Sequence, residues 1–320
     1  MAFSKGIIPG VLLVLVVTVL SLLFSFAHSA FDPLVLSIIV GLLLSSLIRA
    51  GNEVRSGVEE SLRVTLPAGI ALYGMKLDVS GFMPSYLPMT AFAFLLMFAL
   101  SYLFSRYVAG LGQGLSFLIA TGLSVCGASA IVVVAAAAGT RREDTTVSII
   151  SVMITGLTGM IIFRLLAGTS LLTTEGAPLL IGTTLPMFGQ VKVAARAFGE
   201  STLHMAVNYK LVRISALALV ALVALAIGRK EGFRGGSKPW FMAVFFLLAI
   251  LSNVSEDVAS LRAAAGHASS FLLTAALASI GLSVDLDVML EKGTAPPLAA
   301  GVSWGIASLI IALVVAFTFN

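Results

Sequence analysis

Four cations stand in a stretch that otherwise reads as membrane span. Lys192 and Arg196 are four residues apart, and Lys210 and Arg213 are three apart. Those spacings put each pair on one face of a helix. Charge at membrane depth is costly, and it marks a pathway, a counter-ion or a helix end from which a long side chain reaches the interface. Snorkelling at helix ends and a positive pathway for an anion both stay open here. The pathway gains support from the segment Thr121-Gly122-Leu123-Ser124-Val125-Cys126-Gly127-Ala128-Ser129-Ala130. Ser124, Cys126, Gly127, Ala128 and Ser129 would form a loop of hydroxyls and backbone N–H groups able to hold an oxyanion. Gln190 and Lys192 would face it from a second irregular segment, with Lys210 and Arg213 supplying positive field. Asp78 and Asp285 read either as interface residues or as sites for an H+ or Na+ coupling ion. Cys126 reads as a small packing residue rather than a reactive thiol. As the single cysteine it cannot form an intramolecular disulfide, and three scattered histidines make no metal cluster. No cofactor is expected.

The elements that must position these residues are set by composition. Of 320 residues, 59% are hydrophobic and 11% charged, against roughly 25% charged in soluble domains. At ~20 apolar residues per spanning helix, that is material for about nine or ten spans. A soluble enzyme and a secreted disulfide scaffold are excluded. The net charge of +4 reflects basic cytoplasmic loops rather than affinity for nucleic acid. No phosphate-binding loop, HExxH helix or GxSxG elbow occurs, so neither an enzyme nor an ATP-driven pump is expected.

The apolar runs are continuous for about 17–25 residues, which predicts helices rather than barrel strands. They fall at 6–26, 33–48, 62–79, 84–105, 113–138, 146–168, 177–200, 207–228, 239–254, 268–289 and 296–319. The first reads as a retained helix, longer than a signal-peptide core. The widest polar loops are expected at 49–63 and 229–238. Segments 113–138 and 177–200 carry glycine, hydroxyls or proline at mid-depth, where a helix loses hydrogen bonds. Such backbone survives only when buried in protein or lining a wet cavity, so both are expected to be interrupted or re-entrant. An N-terminus inside places eleven of the nineteen Lys and Arg in the cytoplasm if all segments cross, and twelve if the two irregular ones are hairpins.

An internal repeat is expected. Gly74-Met75-Lys76-Leu77-Asp78-Val79-Ser80 is similar to Gly281-Leu282-Ser283-Val284-Asp285-Leu286-Asp287, and the two segments run in opposite directions, as an inverted repeat requires. A competing register pairs Gly122-Leu123-Ser124-Val125 with Gly281-Leu282-Ser283-Val284 and makes two five-helix repeats after an extra first helix.

Residues 121–131 closely resemble the GTSICGASAI segment of the YeiH-type sulfate exporter family. Further matches follow in the family's order: Gly182-Thr183, Gln190-Val191, Lys210-Leu211-Val212-Arg213, Pro239-Trp240-Phe241 and Ala278-Ser279-Ile280-Gly281-Leu282-Ser283-Val284-Asp285-Leu286. The resemblance implies a multi-pass bacterial inner-membrane transporter related in fold to the sodium–proton antiporter and bile-acid symporter superfamily. One departure stands out. The family's His-Asp pair is missing from Pro186-Met187-Phe188-Gly189-Gln190, which puts proton coupling through that pair in doubt.

The expectation is therefore an all-α polytopic membrane protein, one transporter domain over 1–320 with about 9–11 segments and an extra first helix at 1–26. It would export a small sulfate- or sulfonate-like anion by alternating access. The bilayer, the anion and an H+ or Na+ ion are its expected partners, and a homodimer stays open. The alternatives are a cation–proton antiporter, a channel or a non-transporting membrane subunit.

Overall fold

The computed structural model describes residues 7–27, 32–47, 52–76, 86–167, 169, 172, 176–230, 240–255, 257, 260–283 and 293–319. Every regular element among them is helical, because a chain in hydrocarbon must pair its own backbone groups within each segment. The helices are α1 (Ile8–Ala27), α2 (Pro33–Leu47), α3 (Asn52–Tyr73), α4 (Leu87–Leu103), α5 (Gln113–Ser124), α6 (Ala128–Ala138), α7 (Arg142–Leu166), α8 (Gly176–Thr184), α9 (Phe188–Arg196), α10 (Glu200–Lys230), α11 (Trp240–Val254), α12 (Arg262–Ser283) and α13 (Ala295–Phe319). A 3-10 turn, Gly74–Lys76, extends α3, and a π turn, Phe104–Val108, extends α4. Six of these helices are long and apolar enough to cross a bilayer: α1, α4 with its π turn, α7, α10, α12 and α13. The eleven expected segments map one for one onto α1–α4, the pair α5–α6, α7, the pair α8–α9, and α10–α13.

The expected loop at 49–63 is corrected: α3 starts at Asn52. Val58 and Leu62 repeat at helical spacing and are buried. Gly57 lies so close to α1 that a Cβ there would sit 2.2 Å from the Ile7 carbonyl oxygen. Packing against α1 thus holds a polar turn in helical form.

The chain forms two compact units, one from Met1–Asp78 with Arg234–Lys292, the other from Val79–Phe233 with Gly293–Asn320. In the first, α12 packs along α2 and α3. The repeated glycines hold equivalent places there. A Cβ on Gly74 would meet the Phe245 oxygen of α11 at 2.1 Å, and one on Gly281 would meet the Ile38 oxygen of α2 at 2.4 Å. Exchanging α2–α3 with α11–α12 therefore reproduces the packing.

The second unit has the same property. Its contacts are reproduced by exchanging α4 with α13, α5–α6 with α8–α9, and α7 with α10: α4 lies on α5 and α10 while α13 lies on α8 and α7, and α10 lies on α6, α8 and α9 while α7 lies on α9, α5 and α6. The register pairing Gly74 with Gly281 is the one the packing supports. Each repeat has five segments after an extra first helix, but the second is circularly permuted: α8–α9, α10, α11, α12, α13 answer to α5–α6, α7, α2, α3, α4. Asp78 and Asp285 lie outside the described residues.

Candidate functional site

Both interruptions have local causes. Between α5 and α6, Gly127 adopts φ 71°, ψ −131°, a conformation open to glycine and strained for other residues. The chain turns back there. A Cβ on Gly122 would sit 2.6 Å from Ile131 Cδ1, although nine residues of straight helix span about 13–14 Å. Between α8 and α9 stands Pro186, which has no N–H to give the Gly182 carbonyl four residues earlier. The two tips meet, since a Cβ on Gly127 would lie 2.8 Å from Met187 Cγ.

A helix that stops leaves its last carbonyls without donors, and here they find them in side chains. Lys210 Nζ donates to the carbonyls of Val125 at 2.9 Å, Leu185 at 2.8 Å and Pro186 at 2.5 Å. Arg213 donates from Nε to Ser124 O at 2.7 Å, from Nη2 to Leu123 O, and from Nη1 to Thr183 O, with Leu185 O at 3.3 Å and Gly182 O at 3.5 Å. Trp304 Nε1 of α13 takes the remaining Thr184 carbonyl at 3.0 Å. Lys210 and Arg213 are 0% and 1% exposed, so they do not snorkel. Among the described residues neither has a carboxylate partner. Their counter-charges are the negative ends of α5 and α8.

The opposite ends of the breaks are positive. The first hydrogen bond of α6 runs from Ile131 N to Gly127 O, and the first of α9 from Val191 N to Met187 O. The N–H groups of Ala128, Ser129 and Ala130, and of Phe188 and Gly189, precede those bonds and have no carbonyl within their own helix. Gln190 sits in the first turn of α9, 1% exposed. Its Oε1 accepts the Met187 N–H at 3.2 Å, while its buried Nε2 has no partner among the described residues. The amide rests on Gly156 of α7, where a Cβ would be 2.2 Å from Oε1 and 2.7 Å from Nε2. Ser129 Oγ lies 3.4 Å from Cys126 Sγ and donates to Cys126 O at 3.5 Å, and Ser124 Oγ donates to Thr121 O at 3.4 Å.

The structure therefore brings together Ser124, Cys126, Gly127, Ala128, Ser129, Gln190, Lys210 and Arg213. Lys192 is elsewhere. It is exposed, with its ammonium 4.8 Å from the Phe188 ring centroid, and Arg196 on the same face pairs with Glu200 at 3.6 Å. The opposite side of α9 is buried through Gln190, Val191, Ala194 and Ala195, so the face of Lys192 and Arg196 turns away from the tips. The four-cation cluster separates into an internal pair and an external pair. Trp304 and Gly156 escaped the reading of the sequence. The signal for Trp304 was its rarity, one of two tryptophans in the chain, because a buried indole N–H seeks an acceptor.

A family model described as conserved hypothetical protein 698 matches residues 9–300. The chain belongs to this family. Relatives of this chain include a UPF0324 membrane protein of Archaeoglobus fulgidus, 27% identical over 316 residues, covering 97% of this chain and 93% of the relative. The UPF0324 membrane protein TauZ of Paracoccus denitrificans is 28% identical over 282 residues, covering 83% and 82%. The UPF0324 inner membrane protein YeiH of Escherichia coli is 26% identical over 315 residues, covering 92% and 89%. No solved structure matches the chain. The resemblance carried by residues 121–131 is thus confirmed along most of the chain, and the protein is a multi-pass inner-membrane protein.

Proposed function

We propose that this protein is a secondary transporter that carries a small oxyanion across the membrane by alternating access. One observation carries the reading. Two interrupted helices meet at Gly127 and Met187 with their carbonyl ends neutralised by Lys210, Arg213 and Trp304, while α6 and α9 begin at those tips and Gln190 Nε2, in the first turn of α9, is unpartnered among the described residues. Half-helix N-termini that meet inside a membrane protein suit an anionic group. The anion would take N–H groups from Ala128 and Ser129, the Ser129 hydroxyl, and the Gln190 amide. Lys210 and Arg213 act at one remove, since carbonyls already take the Lys210 protons and both edges of the Arg213 guanidinium. They hold the tips together and leave them net positive.

The resemblance to sulfate exporters favours a sulfate- or sulfonate-like solute and outward transport. No covalent step is part of this reading, and the protein is proposed to be a carrier, not an enzyme. Cation–proton antiport needs an acid at the tips, whereas the charged side chains found there among the described residues are two cations. The test is counterflow in proteoliposomes loaded in turn with sulfate, sulfite, an alkylsulfonate, a carboxylate and chloride. Exchange of labelled sulfate against an oxyanion is expected. Exchange of none of them, with Na+ dissipating a pH gradient in the same vesicles, would establish the antiporter instead.

A further inference from the structure

The donors around the tips are caps, and the oxygens around Lys210 Nζ have a chemistry of their own. Val125 O, Leu185 O and Pro186 O converge from two separate helix breaks onto one nitrogen, at 2.9, 2.8 and 2.5 Å. All three are backbone carbonyls of buried residues at helix breaks. Carbonyl rings and the C-terminal ends of interrupted helices are the ligands membrane proteins offer to bare monovalent cations.

We propose that these carbonyls form a monovalent-cation site whose resident ion is the tethered ammonium of Lys210. A free Na+, K+ or small alkylammonium ion would fill the site when that side chain is cut back. The donor count supports this. An ammonium presents three N–H groups and no lone pair, one for each oxygen. A neutral amine has two N–H groups, and its lone pair would face the third carbonyl. The site thus selects a cation, and Lys210 supplies it covalently.

Removing the side chain beyond Cβ leaves a polar void lined by three oxygens, which an ion or water can occupy. Arg213 still holds Leu123, Ser124 and Thr183, so the tips keep a second clamp while the site stands open. The consequence for the native chain is that its tips need no free sodium to stay together. This inference does not depend on which solute is carried.

The test uses purified full-length protein, melted in choline, sodium, potassium and methylammonium chlorides at equal ionic strength. Lys210→Ala should melt about 3–5 °C higher in at least one small cation than in choline, the shift expected for ligand at about tenfold excess over its dissociation constant. The unsubstituted protein should melt at one temperature in all four salts. Lys210→Gln fills the space with a neutral amide and should also show no preference, which traces any shift in K210A to the vacated site. Three results would overturn the proposal. One is a K210A that does not distinguish small cations from choline, including failure to be recovered folded in any of them. The others are a K210Q shift as large as that of K210A, and stabilisation of the unsubstituted protein by sodium over choline.

Discussion

Gln190 is the residue at which cap and site are the same side chain. Its oxygen holds the Met187 N–H and, among the described residues, its nitrogen is left over. Gln190→Glu keeps the acceptor and replaces the spare donor by negative charge. The variant should fold and reach the membrane, yet lose anion flux by at least about tenfold, the worth of one buried charge-assisted hydrogen bond. Flux within twofold of the unsubstituted protein would remove Gln190 from the site. Trp304 tests a different quantity. Trp304→Phe leaves the Thr184 carbonyl buried without its donor, which should cost about 1–3 kcal/mol of stability, read as a lower melting temperature. At this scale the sequence exposed much of the site. Glycines and hydroxyls at mid-depth pointed to residues 124–129, and buried cations to Lys210 and Arg213. Lys192 misled, because spacing gives the face a cation shares with Arg196 but not what that face meets. Trp304 was hidden because its acceptor lies 120 residues away.

At the scale of elements, the hairpin tips depend on what the neighbouring helices leave out. Gly182 of α8 lies against Ala206 and Tyr209 of α10 as Gly122 of α5 lies against Ile131 and Val152, the latter on α7. Carrying that register along places Gly156 of α7 opposite Arg213 of α10. One repeat puts a guanidinium there; the other puts a glycine and fills the space with the Gln190 amide. The pseudo-symmetry breaks at the tips, and this asymmetry leaves them cationic. Gly156→Ala should therefore mimic a Gln190 variant: its Cβ would displace the amide, lowering oxyanion affinity about tenfold or more although alanine suits a helix better than glycine. Unchanged affinity, measured by thermal shift with sulfate, would show that the amide's position is irrelevant. Hydropathy located every segment but misjudged several ends. Apolar runs report the hydrocarbon core, whereas α3, α10 and α12 continue through polar turns at Asn52, Glu200 and Arg262.

For the whole molecule, the permuted repeat constrains topology. If α5–α6 and α8–α9 both crossed the membrane, α7 and α10 would run in the same direction, while α4 and α13 would be opposed. Re-entrant hairpins, one from each side, make every pair antiparallel and the repeat consistently inverted. The turn that brings Ile131 back to Gly122 favours the hairpin. With the N-terminus inside, a cysteine at Thr140 should then react with an impermeant maleimide only from the cytoplasm, and one at Thr169 only from outside, in a Cys126→Ser background. The opposite pattern would mean that both segments cross. None of this order could be read from residue types, because permutation separates matching segments along the chain, and only the Gly74 and Gly281 motifs survived as sequence. The most direct test of the transport reading is equilibrium binding of radiolabelled sulfate to the purified protein, competed by sulfite, alkylsulfonates, carboxylates and chloride. Saturable binding displaced by oxyanions in preference to chloride is predicted. No saturable binding of sulfate, and no displacement hierarchy among the anions, would contradict an oxyanion site at the hairpin tips.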